Sequence, residues 1–204
     1  MDSKIIRDKV KEHFSSMLGS EKFAKFAVLL PLIQKDNDTH ILFEVRSHKL
    51  RRQPGEICFP GGRVDNRDKT VQSAAIRETE EELGISKQQI SDVFPLDYLV
   101  SPFGMIVYPH VGFIDGSESI KPNPAEVEEV FAVPLSFFLK TRPKIYSVDV
   151  KIEPEDDFPF DLIVGGHDYN WRTDKIDEYF FVYEDKVIWG LTAKILAHFT
   201  DVIS

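Results

Sequence analysis

Four glutamates, Glu78, Glu80, Glu81 and Glu82, fall within five positions of the stretch RETEEELGI (77–85). On a helix, residues three and four apart are neighbours, so Glu78 faces both Glu81 and Glu82, and each like-charge pair costs a few tenths of a kcal/mol. A solvated helix face is the ordinary explanation of such a run. Three features weigh against it here. The glutamates sit at the C-terminal end of their helix, where the macrodipole disfavours negative charge. The only basic residues close in sequence are Arg77 and Lys87. Directly upstream, Pro60-Gly61-Gly62 is a loop with backbone carbonyls free to bind. Carboxylates on one helix face beside such carbonyls suit a hard divalent cation, Mg2+ or Mn2+, which favours oxygen ligands and substrate phosphates. Glu78, Glu81 and Glu82 would converge on it, with Glu80 turned away into solvent.

A second cluster precedes the first. RSHKLRR (46–52) holds Arg46, Lys49, Arg51 and Arg52 with His48. Arginine binds phosphate oxygens bidentately, so a polyanion could span the basic run and the cation.

The elements that must position these groups follow from periodicity and punctuation. Residues 3–18 have helical apolar spacing up to Gly19. FAKFAVLLPLIQ (23–34) and HILFEVRS (40–47) read as strands around the turn KDNDT, and 48–62 reads as loop. Residues 69–84 read as the acidic helix, with Gly84 its C-cap. Further strands are expected over 92–101, 104–114 and 126–135, a short helix over SFFLK, mostly strand and loop over 143–183, and an amphipathic helix over 189–203. The mixture predicts an α+β fold. With no repeat or linker in sight, the 204 residues are read as one domain, 1–204, with residues 1–20 a helical N-terminal extension.

Bulk properties exclude several classes. The net charge of −9 argues against non-specific nucleic-acid binding. No apolar run is long enough for a membrane span, and the charged N-terminus lacks a signal-peptide core. The single cysteine, Cys58, excludes an internal disulfide framework and points to a reducing compartment. With no peroxisomal or prenylation signal at the C-terminus, the cytoplasm is the expected location. Cys58 itself reads as a small buried hydrophobe, His110 and His198 as core or surface residues, and Gly165-Gly166-His167-Asp168 as a turn.

The acidic stretch resembles a Nudix box, whose second half runs R-E-U-x-E-E-x-G-U with U a bulky apolar residue. Residues Arg77 to Ile85 fit it apart from Thr79, and Gly62 fits the opening glycine. Fourteen residues separate Gly62 from Arg77, one more than usual, and Asp68 replaces the usual glutamate. Upstream, Arg46-Ser47, Arg51, Gly55 and Phe59-Pro60-Gly61-Gly62 are similar to the signature of the coenzyme A diphosphatase branch of that family, which shares the longer spacing. The resemblance implies an α/β/α sandwich with a mixed sheet between helices. It implies Glu81 and Glu82 as metal ligands, Glu78 as a further ligand or the base, and the carbonyl of Gly61 or Gly62 completing the shell. It implies Asp68 pairing with Arg77, Glu126 as an additional acidic residue, and Arg46, Arg51 and Arg52 gripping the substrate. The implied reaction is metal-dependent cleavage of coenzyme A or a derivative to 3′,5′-ADP and 4′-phosphopantetheine. ADP-ribose or NADH as substrate, and a catalytically silent nucleotide- or protein-binding module, are the alternatives. The partner is a small-molecule nucleotide, with no nucleic acid and no membrane; a homodimer is compatible with the sequence.

Overall fold

The structure, a computed structural model, describes residues 2–204. An eight-stranded mixed sheet forms its centre. Strand β1 (Ala24–Lys35) pairs in parallel with β7 (Met105–Ile114) and antiparallel with β2 (Asp38–Arg46). Beyond β2 lie β3 (Ile57–Cys58) and β8 (Val127–Pro134), and β4 (Gly61–Arg63) pairs with β1. On the other side, β5 (Ile90–Pro95) and β6 (Leu99–Ser101) pair with β7.

Because successive side chains of a strand point to opposite faces, a sheet covered on both sides reads as a continuous apolar run. AVLLPLI in β1 is such a run. Ala27, Leu29 and Ile33 enter one core with Ala74, Ala75 and Leu83 of α2 (Val71–Leu83). Leu30 and Leu32 enter a second core with Phe43 and Phe138, under α3 (Leu135–Lys140) and α4 (Gly190–Val202). The layers are α2, sheet, then α3 and α4, the expected α/β/α sandwich. Among the described residues no helix is long and apolar enough to cross a membrane.

Two expectations need correction, and a third, of strand and loop over 143–183, is met. The N-terminal helix, α1, covers Ser3–Lys11 and not 3–18; none of its residues is buried, and Phe14 and Leu18 are fully exposed beyond its end. A helix this short, with no partner face, reaches only as far as its Asp2 cap and the lysines near its end support it. Residues 48–62 are not all loop, because β3 and β4 extend the sheet there. The strands within 143–183 are β9 (Lys144–Val150) and β10 (Asp174–Tyr183), which with β11 (Lys186–Trp189) make a separate three-stranded sheet. It reaches the second core through Phe181 and Ile188.

Helix α2 begins at a capping box, in which Thr70 and Ser73 satisfy each other's backbone and side chain. It ends at Gly84, in the left-handed region at φ 62°. There the carbonyls of Glu82 and Leu83 accept hydrogen bonds from the N–H groups of Asn123 and Lys121, at 2.9 and 3.0 Å. The segment leading to Glu126 is thus docked on the end of the acidic helix. A Cβ on Gly84 would run into the carbonyl of Lys121. Gly84→Ala should therefore lower the midpoint of urea unfolding, by about 2 kcal/mol or more in stability; an unchanged midpoint would contradict this account of the junction.

Candidate functional site

Arg77 ties the loop before α2 to the helix. Its Nε and Nη2 donate to the two carboxylate oxygens of Asp68, each at 3.0 Å, a bidentate pair in which the Asp68 side chain is 4% exposed. Charge-assisted bonds of this shape are about twice as strong as neutral ones. They hold the Asp68 carboxyl below the usual carboxylate range. Nη2 also donates to the carbonyl of Arg63 at 3.4 Å. Between Gly62 and Arg77 the chain makes a turn at Asp65–Asp68, where Asp68 N donates to Asp65 O and Asp65 N to the Asp68 carboxylate.

The glutamates of α2 differ sharply in surroundings. Nη1 of Arg77 donates to Glu78 at 2.9 Å and to Glu81 at 3.2 Å. Glu82 is 6% exposed and turns inward, accepting from the N–H of Gly61 at 2.8 Å. The expected convergence of all three is not seen, and among the described residues no three His, Cys, Asp or Glu side chains stand around a common point. Arg77 is the nearest counter-charge and draws Glu78 and Glu81 to itself. Glu80 does point elsewhere, but it is bonded: its carboxylate accepts from Lys87 N at 2.6 Å. Thr79, the misfit in the box, is fully buried, its hydroxyl donating to the carbonyl of Ala75.

Strand β4 explains the glycine pair. Pro60 O accepts from Leu29 N and Lys25 O from Val64 N. Alternation along an antiparallel ladder then assigns both backbone groups of Gly62 to its partner Ala27, and turns those of Gly61 and Arg63 outward. The outward N–H of Gly61 meets Glu82 and the outward carbonyl of Arg63 meets Arg77, as this register requires. The Gly62 carbonyl, expected as a metal ligand, is therefore committed to the sheet, and that of Gly61 is the one left free. Gly62 serves instead by lacking a side chain, because a Cβ there would overlap the Glu78 carboxylate.

Glu44, on β2, was not foreseen. It is 1% exposed; Oε1 accepts from the thiol of Cys58 at 3.2 Å and Oε2 has no partner. Burial pushes its carboxyl up to about 7. Burial, and then the charge of Glu44, push Glu82 up to about 9. Glu78 is also raised, chiefly by burial. Glu126 adds repulsion to Glu44, Glu78 and Glu82, so the structure does bring it to the cluster. It lies in the turn before β8, held by Asn123. The sequence signal for Glu44 was a lone carboxylate in the apolar strand HILFEVRS.

Of the basic run, Arg46 ends β2 with its Nε enclosed and unpartnered, whereas Arg51 and Arg52 are exposed in the loop beyond. Ser47, fully buried, anchors that loop: its N–H donates to the carbonyl of Glu126 at 2.8 Å. The remaining candidates are structural. His110 is buried with its Nδ1 3.2 Å from the carbonyl of Tyr108, His198 receives a bond from Asp97 N, and Gly166–Asp168 is a helical turn.

A hard divalent cation fits this donor set. Every acidic group here is a carboxylate, one buried oxygen lacks any partner, and a positive ion would offset both the burial of these groups and the repulsion that adds to it.

The model of the NUDIX domain matches residues 25–152. The peroxisomal coenzyme A diphosphatase NUDT7 of Mus musculus is 43% identical over 122 residues, 60% of this chain and 51% of that protein. The matched part thus spans about half the length of that relative. The uncharacterized Nudix hydrolase NudL of Photorhabdus laumondii is 36% identical over 170 residues, 83% of this chain and 80% of the relative. Among solved structures, a MutT/nudix family protein from Enterococcus faecalis aligns with a TM-score of 0.48 at 16% identity, over 100% of this chain and 70% of that one.

Two measurements test the geometry. Asp68→Ala removes both bonds that hold the Arg77 fork and should cost about 2 kcal/mol in denaturant unfolding; wild-type stability would remove the clamp from this account. In the presence of a chelator, the raised carboxyls have a definite sign. Folded Glu44 and Glu82 keep protons up to about 7 and about 9, whereas in the unfolded chain they lose them near 4.5. The folded state binds more protons in that window, so this stability is complete below the unfolded value and is lost as pH rises through the folded ones. The melting temperature should fall between about pH 7 and about pH 9, and Glu82→Gln should flatten that slope; an equal slope in wild type and variant would contradict the burial of a titrating Glu82.

Proposed function

The chain belongs to the Nudix hydrolases, and on that premise we propose that it hydrolyses the diphosphate linkage of coenzyme A or a coenzyme A derivative. The products are 3′,5′-ADP and 4′-phosphopantetheine or its acylated form. One observation carries the choice of a diphosphate ester with further negative charge: Arg46, with its enclosed and unpartnered Nε, follows the buried Glu44 by two residues on β2 and precedes the exposed cations of Arg51 and Arg52. The activity named for the mouse relative, and the upstream R-S-x3-R-x3-G-x3-F-P-G-G spacing, support coenzyme A within that class.

In this reading Glu81 and Glu82 would hold Mg2+ or Mn2+ with the carbonyl of Gly61, Glu126 would close the site, and Glu78 would serve as the base. The bound cation supplies charge neutralisation at the diphosphate oxygens and a lowered pKa for water. Arg46 orients the diphosphate, and Arg51 and Arg52 take its outer phosphate. Glu78, half-buried against Gly62, accepts the proton of the attacking water. Water adds to one phosphorus, the bridging P–O bond breaks, and two phosphate monoesters leave. Arg77 positions Glu78 and Glu81 and does not touch the substrate. Residues 1–204 act as one domain with residues 1–20 an extension, and we place the activity in the cytoplasm.

Purified protein with Mg2+ or Mn2+ should release both phosphorylated products from coenzyme A faster than it turns over ADP-ribose or NADH. Glu82→Gln should lower kcat/KM at least about a hundredfold. Turnover of ADP-ribose without coenzyme A would overturn the substrate assignment, and metal-dependent binding without any product would favour a silent module.

A further inference from the structure

Strand β2 places a carboxylate where a strand packed on both faces should be apolar. Glu44 follows Ile41, Leu42 and Phe43, all buried, and is itself 1% exposed. Cys58, directly across the ladder on β3, fixes one end of it by donating its thiol hydrogen to Oε1 at 3.2 Å. The other oxygen, Oε2, is enclosed and has no partner. Neither protonation state satisfies it: a carboxylate oxygen there lacks a donor, and a carboxyl O–H lacks an acceptor. Leaving such a group unpaired in a protein interior costs on the order of 1–3 kcal/mol, and a serine, threonine or valine would fit a strand without that cost.

The second unpartnered buried atom of the described residues lies two positions along the same strand, at Nε of Arg46. The two groups are opposite in charge and feel one another, since Arg46 opposes the rise of the Glu44 carboxyl. They nevertheless form no ion pair within the 4.0 Å that defines one. A lone buried acceptor that feels the charges of Glu82 and Glu126 calls for a positive ion; a lone donor two residues on calls for a negative oxygen. The order Glu44, cation, phosphate oxygen, Arg46 alternates in sign and satisfies both orphans at once.

We infer that Glu44 is an additional carboxylate of the divalent-cation site, contributed by the central sheet opposite the glutamates of α2. The inference rests on the proposed function only in taking that site to bind a divalent cation. It adds that the sheet, and not the helix alone, holds the ion. The Cys58 thiol acts as a positioning group: it holds Oε1 by its hydrogen bond and leaves Oε2 unpartnered. Hard oxygen donors on both sides favour Mg2+ or Mn2+ over softer metals.

The test is Mn2+ binding to the full chain without substrate, by titration calorimetry and by the paramagnetic resonance signal of free Mn2+, with the Mn2+-induced rise in melting temperature as a second readout. Glu44→Gln keeps the shape and removes the charge; Glu44→Thr is smaller and keeps a group for Cys58. Both should weaken Mn2+ binding at least about tenfold and shrink the induced rise. Wild-type Mn2+ affinity in the two variants, with wild type binding normally, would overturn the role of Glu44 and leave the proposed function standing. Absence of Mn2+ binding by wild type itself would remove both.

Discussion

Repulsion between carboxylates in a poorly solvated place is the constraint on which the rest of this site depends. Burial raises the carboxyls of Glu44, Glu78 and Glu82, and the charges of neighbouring carboxylates, Glu126 among them, add to that rise. In water such charges would be screened by a high dielectric; between a sheet and a helix they are not. The fold must therefore hold each carboxylate against its neighbours. It does so with a different device for each: a backbone N–H for Glu82, a guanidinium for Glu78 and Glu81, a thiol for Glu44, and an asparagine amide for Glu126.

Those devices come from separate parts of the chain, and the packing of α2 on the sheet brings them together. The N-terminal approach is clamped by Asp68 and Arg77, and the C-terminal end is capped by the segment carrying Lys121 and Asn123. Between them, the outward backbone groups of β4 face the helix while its inward groups pair with β1. A helix so fixed at both ends can carry like charges toward a sheet without swinging them into solvent. The two missing side chains, at Gly62 and Gly84, are the two close approaches that this packing needs.

The same logic separates cations whose donors are already taken from one that is still unsatisfied. Arg77 is saturated by Asp68, Glu78, Glu81 and the carbonyl of Arg63, so it has little left to offer a substrate. Arg46 is the reverse case, its Nε enclosed and unsatisfied. Exposed Arg51 and Arg52 sit in a loop whose base is anchored at Ser47 to the Glu126 segment. The carboxylate cluster and the basic loop thereby share one foundation.

What the sequence determined by itself was whatever depends on neighbours along the chain. The acidic helix, its Gly84 end and the register of RETEEELGI follow from helical spacing and backbone conformation, which are local. The apolar runs of β1 and β2 were legible as strands and the mixture of elements as an α+β fold, while the layering was implied only by the family resemblance. The pairing of Asp68 with Arg77 was implied by the family resemblance, and the structure forms it. Partners distant along the chain were not legible. Glu44 looked like one charge in a strand, and only its pairing with Cys58 and the approach of α2 made it a buried member of the cluster. The choice between Gly61 and Gly62 needed the register of β4 on β1, since a one-residue shift exchanges inward and outward backbone groups. Residues 3–18 had helical periodicity, but periodicity supplies a face and not something to cover it, so the helix stops at Lys11. Local pattern decides which element forms; tertiary contact decides which of its groups are buried, and in this site burial sets the charge.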